Sequence, residues 1–394
     1  MQISDRLRNV KPSLTLALNA KAMELKAQGI AVVSLAVGQP DFPTPAHICD
    51  ATKAAIDANF SRYTPVPGIP ELREAVGGYF KQQYDVPVPM ESVILSTGGK
   101  QALFNFVQGT INPGDEVLVP APCWLSYPPN VELAGGVPVL VHTGVEHAFK
   151  VTPEMLEAHR TPKTRLLILN SPNNPTGAVY AKAELDALVD WAVSHGLSVL
   201  SDEIYDQIVC DPAKPTSVID WFVKFPEQVA VLGGLSKTFA MTGWRVGYLV
   251  AHPDLIKKFS TLQGQSTANV CSIAQKAALA ALTGPMDCVE TMRAAFQRRR
   301  DEAMKVIKSW PFAVCPQPDG AFYLFIDVRR CYNATVQNST DICAYLLDKA
   351  RVTLVPGVAF GDDNCLRLSY AVADEVLAEA LDRIGAALAE LVRQ

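Results

Sequence analysis

The sequence holds no uninterrupted apolar run of ~18 residues, so no helical membrane span is expected. It has no excess of positive charge. With 35 basic against 40 acidic residues and a net charge of −5, it lacks the basic face that non-specific nucleic-acid or membrane-surface binding requires. It contains no Cys-x-x-Cys pair; its nine cysteines are odd in number and scattered. Neither a metal centre nor a disulfide framework is therefore expected, and the thiols read as buried and reduced. The segment MQISDRLRNVKPS has no apolar h-region, so no secretory signal is read there, a cytoplasmic protein is expected, and the glycosylation-like Asn333-Ala334-Thr335 and Asn338-Ser339-Thr340 are taken as chance. Neither a Walker loop nor a G-x-G-x-x-G fingerprint occurs. Internal repeats and low-complexity tracts are also missing. One local basic cluster, Arg298-Arg299-Arg300, lies in a helical pattern and reads as a solvated face.

What is present is the composition of a well-packed protein: 394 residues, 49% hydrophobic and 19% charged. That length predicts two or three domains. Residues 14–28 read as a helix stopped by Gly29, followed by an apolar strand over 31–37 and a Pro-rich loop, GQPDFPTP. Short apolar strands then alternate with helical stretches: VILS (93–96), EVLVP (116–120), RLLILN (165–170), LSVLSD (197–202), QVAVLGGLS (228–236) and RVGYLVA (245–251). Strands of that kind are buried on both faces by helical crossovers, which predicts an α/β fold with a mostly parallel sheet. Two long helical stretches, 253–282 and 286–308, lead to a smaller α+β domain that ends in a helix at 373–392. The expected partition is an N-terminal segment 1–44 joining the small domain, a large domain 45–284 and a small C-terminal domain 285–394.

Ligands of open α/β sheets sit beyond the carboxyl ends of the strands, and there the unusual polar residues collect. Lys237 follows a buried strand, where poor solvation favours the neutral, nucleophilic amine. Arg245, eight residues on, is placed to clamp a phosphate. Gly98-Gly99-Lys100 joins a strand to a helix whose N-terminus offers free N–H groups to an anion. Asp202, at a strand end, needs a partner, either a turn cap or a protonated ring nitrogen. Asn174 in NSPNNPTG fits a hydrogen bond to a phenolic oxygen or ordinary turn chemistry. Trp124 is either a stacking platform or a core residue. Arg367, among apolar neighbours in CLRLSY, calls for an anion.

Together SPNNPTG, SDEIY, SKTFAMTGWRVGY and the closing arginine, in that order over nearly the whole chain, resemble the class I, fold type I aminotransferases that depend on pyridoxal phosphate, and among them the bacterial aspartate/prephenate subgroup. The resemblance implies that Lys237 carries the cofactor as a Schiff base and moves the substrate proton. Asp202 pairs with the pyridinium nitrogen; Asn174 and Tyr205 bond the phenolic oxygen; Trp124 stacks on the ring. Gly99 and Lys100 amides, Ser236 and Arg245 hold the phosphate, and Tyr63 reaches the phosphate of a neighbouring subunit in a homodimer. Arg367 and the Gly38 backbone take the substrate α-carboxylate, while Lys100 and Lys11 are similar to residues that meet a distal carboxylate. The implied reaction transfers the amino group of an L-amino acid, with aspartate favoured, to 2-oxoglutarate by ping-pong kinetics. A prephenate, aromatic or alanine-type aminotransferase and a β-lyase of the same fold are the alternatives. Cys123 stands where relatives often carry an aromatic residue, which bears on substrate preference.

Overall fold

A computed structural model describes residues 3–4 and 15–393. Among the described residues there are twelve strands, β1 Val33–Ser34, β2 Val93–Ser96, β3 Glu116–Ala121, β4 Val137–His142, β5 Thr164–Asn170, β6 Ser198–Asp202, β7 Val229–Gly234, β8 Gly247–Val250, β9 Tyr323–Asp327, β10 Val352–Thr353, β11 Val355–Pro356 and β12 Cys365–Ser369. Seven of them form one sheet in the order β2-β8-β7-β6-β5-β3-β4. Every neighbouring pair is parallel except those made by β8, which runs antiparallel to both β2 and β7.

The unbroken apolar strands are explained by burial on both faces. Along β5, Leu167 and Leu169 enter one core with Val199 and Val231, while Leu166 and Ile168 enter the opposite core with Leu200 and Leu232. Helices cover both faces, as a parallel sheet requires. A third core joins Leu35 near the N-terminus to Phe296, Leu324, Leu346, Leu368 and Leu388. It lies against an antiparallel three-stranded sheet, β11-β12-β9. The fold is thus the expected α/β arrangement, with a large, mostly parallel sheet and a smaller α+β layer.

Three expectations need correction. The strand over 31–37 shrinks to Val33–Ser34, paired with Val352–Thr353. Beyond it the backbone carbonyls are used elsewhere: Leu35 accepts from the Ser369 amide, Ala36 from Arg367 and Gly38 from Lys237. The helical stretch 253–282 is two helices, Pro253–Gly264 and Ser272–Thr283. The break is built by the Gln263 carbonyl, which takes the amides of Thr267 and Ala268, with Ala268 at φ 58°. The buried Gln263 side chain bonds the carbonyls of Val66 and Leu95, which fixes that corner. Finally, Arg299 and Arg300 are buried, not solvated, at 8% and 2% exposure. Arg299 pairs with Asp41 at 2.8 Å and Asp374 at 2.7 Å, and Arg300 pairs with Asp301 and donates to the Pro318 carbonyl. Arg298, on the outer face of the same turn, stays exposed and pairs with Asp374, whereas Arg299 and Arg300 turn inward and have their charges neutralised locally.

Candidate active site

The carboxyl ends of the strands converge on a cavity of about 340 Å3. After β2, Gly98 opens the helix Gly99–Thr110 with φ 80°. Two close approaches explain the glycines: a Cβ on Gly98 would run into the Arg245 guanidinium, and one on Gly247 would lie 2.5 Å from the Gly99 nitrogen. Backbone N–H groups at that helix start have no helical partner and face an anion naturally. After β3 comes Trp124, after β5 Asn174; Asp202 ends β6, and β7 runs into the short helix Leu235–Thr238 that carries Ser236 and Lys237. Because β8 is antiparallel, its beginning faces the same side, and this brings Arg245, at φ 58°, to the cavity from the residues just before it.

From the other layer, Arg367 on β12 and Tyr323 on β9 line the cavity from one face of the small sheet. Arg367 donates to Asn174 Oδ1 at 3.0 Å and to the Ala36 carbonyl at 2.8 Å, and its Nε is buried without a partner. Asn174 is itself fixed by its amide, which donates to Asn170 Oδ1 at 2.9 Å, while Asn170 Nδ2 donates to the Asp202 carbonyl. Lys237 Nζ donates to the Gly38 carbonyl at 2.5 Å. Lys100 Nζ stands 5.0 Å from the centre of the Trp124 ring.

The electrostatics of the cavity are lopsided. Four cations, Lys100, Lys237, Arg245 and Arg367, line it together with one carboxylate, Asp202. The groups that meet those cations are the carbonyls of Gly38, Thr97, Thr242 and Ala36, the Asn174 amide, and the rings of Trp124, Tyr205, Phe322, Tyr323 and Phe360. Among the described residues none of the four has an ion-pair partner. Burial, with Arg367 and Arg245 adding repulsion, lowers the Lys237 amine to about 8. Burial and Arg245 lower Lys100 as well. Asp202 is pushed up to about 6 by burial, against hydrogen bonds from Tyr127 Oη at 2.7 Å and the Ile204 amide at 3.2 Å. The site therefore has spare positive charge, an amine close to neutrality and a carboxyl group short of a cation.

The cavity gathers Gly38, Gly99, Lys100, Trp124, Asn174, Asp202, Tyr205, Ser236, Lys237, Arg245 and Arg367, all singled out from the sequence. Tyr63 lies outside it, 93% exposed, and Lys11 lies outside the described residues. Tyr127, Asn170, Thr242 and Tyr323 were missed. Asn170 had a legible signal, a polar residue closing an apolar strand, as Asp202 does. Tyr127, three positions after Trp124, and Tyr323, inside the apolar run AFYLF, carry no local mark of function.

These donors suit pyridoxal phosphate group by group. The glycine-lined helix start and Arg245 match a phosphate, Lys237, whose amine is lowered to about 8, an aldehyde, and Asp202 a ring nitrogen that would supply the cation it lacks. Fold and site together define a pyridoxal-phosphate aminotransferase of fold type I. The chain belongs to the aminotransferase class I and II family, whose model matches residues 30–384, and members of this class use pyridoxal phosphate. It is 45% identical to the aspartate/prephenate aminotransferase of Cereibacter sphaeroides over 99% of both chains. It is 41% identical to the aspartate aminotransferase of Geobacillus stearothermophilus over 98% of both. Among solved structures, the aspartate aminotransferase of Rhizobium meliloti superposes with a TM-score of 0.95 at 36% identity, covering 99% of each chain. The Thermus thermophilus aspartate aminotransferase with maleate gives 0.93 at 40% identity, over 98% of this chain and 100% of that one.

Proposed function

We propose that the enzyme transfers the amino group of a dicarboxylic L-amino acid, aspartate foremost, to 2-oxoglutarate in two half-reactions on one site. The observation that carries this reading is the surplus of unpaired cations in the cavity. One phosphate uses Arg245 and the helix start; Arg367 and Lys100 then remain for two carboxylates at different ends of one substrate. Arg367 is a fork suited to bidentate capture of the α-carboxylate, and Lys100 is a point charge suited to the distal one.

When bound, pyridoxal phosphate supplies an aldehyde to the amino group and an electron-withdrawing ring that stabilises the electrons left when the α-proton departs. The chain's part is to position and to move that proton. Arg367, held by Asn174 and Ala36, orients the α-carbon. Lys237 Nζ, its amine lowered to about 8 by burial and the two arginines, is the base that takes the proton and returns it. Asp202 would hold the ring nitrogen, Asn174 and Tyr205 the phenolic oxygen, Trp124 the ring face, and Ser236 and the Gly99 and Lys100 amides the phosphate. Gly38 helps seat the carboxylate, and Lys11 is assigned with Lys100 to the distal group. A homodimer in which Tyr63 completes the neighbouring phosphate site, and a partition into units 1–44 with 285–394 and 45–284, belong to the same reading; the core that joins Leu35 to residues 292–391, which Tyr205 and Ile208 enter from the larger unit, supports the partition. Prephenate as acceptor is the second reading, supported by the aspartate/prephenate enzymes among the relatives.

The test is spectroscopic and kinetic. Aspartate should bleach the lysine-linked visible band stoichiometrically, and 2-oxoglutarate should restore it, with parallel double-reciprocal plots. Lys100→Ala should raise KM for aspartate about tenfold, ~1.4 kcal/mol, and leave alanine turnover unaffected. Unchanged aspartate kinetics in that variant would refute the dicarboxylate assignment.

A further inference from the structure

Tyr323 enters none of the roles above, yet it touches two residues that do. We propose that Tyr323 is a positioning residue that couples Arg367 to Tyr205: its hydroxyl donates to the Tyr205 oxygen, and a carboxylate arriving on Arg367 weakens that donation.

The geometry leaves the tyrosine little freedom. β9 and β12 pair with Arg367 opposite Phe325 and Ser369 opposite Tyr323, so Arg367 and Tyr323 project from the same side of the sheet. The Arg367 guanidinium carbon lies 4.6 Å from the centre of the Tyr323 ring. The Tyr323 hydroxyl lies 2.8 Å from that of Tyr205. Both rings are buried, Tyr323 at 0% exposure. The hydroxyl is also boxed in: a Cβ on Gly38 would meet it at 2.8 Å, so position 38 has room for that oxygen only because it is glycine.

A cation on the ring face draws electron density from the phenol and strengthens its hydroxyl as a donor. Either hydroxyl of the pair could donate; the cation on its ring face favours Tyr323 as donor, which leaves Tyr205 to aim its own proton into the cavity. Two phenols in series reinforce each other. A carboxylate on Arg367 cancels the charge that polarises the first of them, so the donation offered by the second falls. The substrate's carboxylate thus reports its arrival to Tyr205 through one aromatic ring. A second contact from Arg367, to Asn174, bypasses Tyr205 altogether, and this makes the tyrosine route separable by mutation.

The inference rests on the assignment of Tyr205 to the cofactor's phenolic oxygen. The experiment is a visible pH titration of the lysine-linked cofactor in the holoenzyme, alone and saturated with maleate as a non-reacting dicarboxylate. Tyr323→Phe should raise the midpoint of the free enzyme by roughly half a pH unit, the size of one net hydrogen bond, and should reduce the further rise caused by maleate. In a Tyr205→Phe background the same substitution should add nothing, because the route ends at Tyr205. Replacing Tyr323 by 3-fluorotyrosine, which fills the same space with a more acidic phenol, should lower the midpoint, a direction that loosened packing does not mimic. Identical titrations in wild type and Tyr323→Phe, an equal shift without Tyr205, or a rise with the fluorinated ring would each overturn the proposal. A wild-type holoenzyme with no titrating visible band would instead overturn the assignment of the cofactor to Lys237.

Discussion

At the residue scale the decisive quantity is the charge state of Lys237. Burial and two nearby arginines hold its amine at about 8, below the ordinary lysine value of 10.5. The sign follows directly: a lowered pKa means that the proton leaves earlier as pH rises, and only the neutral amine adds to an aldehyde. In the cofactor-free protein the rate of reconstitution with pyridoxal phosphate should climb between about pH 7 and 9 and then level off. Stopped-flow absorbance gives that profile. A rate still climbing beyond pH 10 would mean that the amine is ordinary and the pocket does not act on it. Asp202 responds to the same burial in the opposite direction, rising to about 6. Two groups of opposite charge have both been moved toward neutrality by one desolvated cavity, which is the pattern expected where acid–base chemistry is carried out.

At the scale of elements, the site is a product of strand ends. β2 delivers Gly98 and Gly99, and the reversed strand β8 delivers Arg245 against them. With φ 80° and no space for a Cβ, Gly98 is the point where strand, helix and arginine meet. Gly98→Ala should therefore displace Arg245 and weaken cofactor binding by tenfold or more, roughly 1.4 kcal/mol, while the holoenzyme's substrate KM changes little; equilibrium dialysis of pyridoxal phosphate measures it, and unaltered affinity would show that the cradle is not where the phosphate sits. This element logic was legible in the sequence because buried parallel strands are continuous apolar runs with abrupt polar ends. Asp202 closes such a run, and Asn174 and Lys237 stand shortly beyond the ends of two others. What could not be read depended on contacts between distant segments. Residues 35–37 look like strand, but the carbonyls of Leu35 and Ala36 are taken by Ser369 and Arg367. Arg299 looks solvent-facing on its own helix until Asp41 and Asp374 arrive from either end of the chain. Tyr323 is a strand residue by pattern and a site residue only because β9 lies beside β12.

At the scale of the whole molecule the open question is what Tyr63 does. It is 93% exposed, an unusual setting for a large aromatic ring, and it precedes the helix Pro70–Tyr84 in a loop that does not line its own chain's cavity. If two copies share their sites, the ring is covered by the partner and its hydroxyl meets the partner's phosphate. Mixing two inactive variants tests this without any assumption about geometry. Tyr63→Ala should lose most of its affinity for cofactor, and Lys237→Ala should lose turnover. After denaturation and joint refolding, hybrid dimers contain one site with an intact lysine from one chain and an intact tyrosine from the other, and a second site with neither. Random pairing makes half of the dimers hybrids, so about a quarter of all sites should regain wild-type turnover. Each variant refolded alone should regain none. A mixture no more active than its components, or a monomer in sedimentation that retains full activity, would place Tyr63 outside catalysis and confine the site to one chain. Restored turnover would show that the cavity described here is completed by a second copy, and that its tally of cations and donors belongs to the dimer.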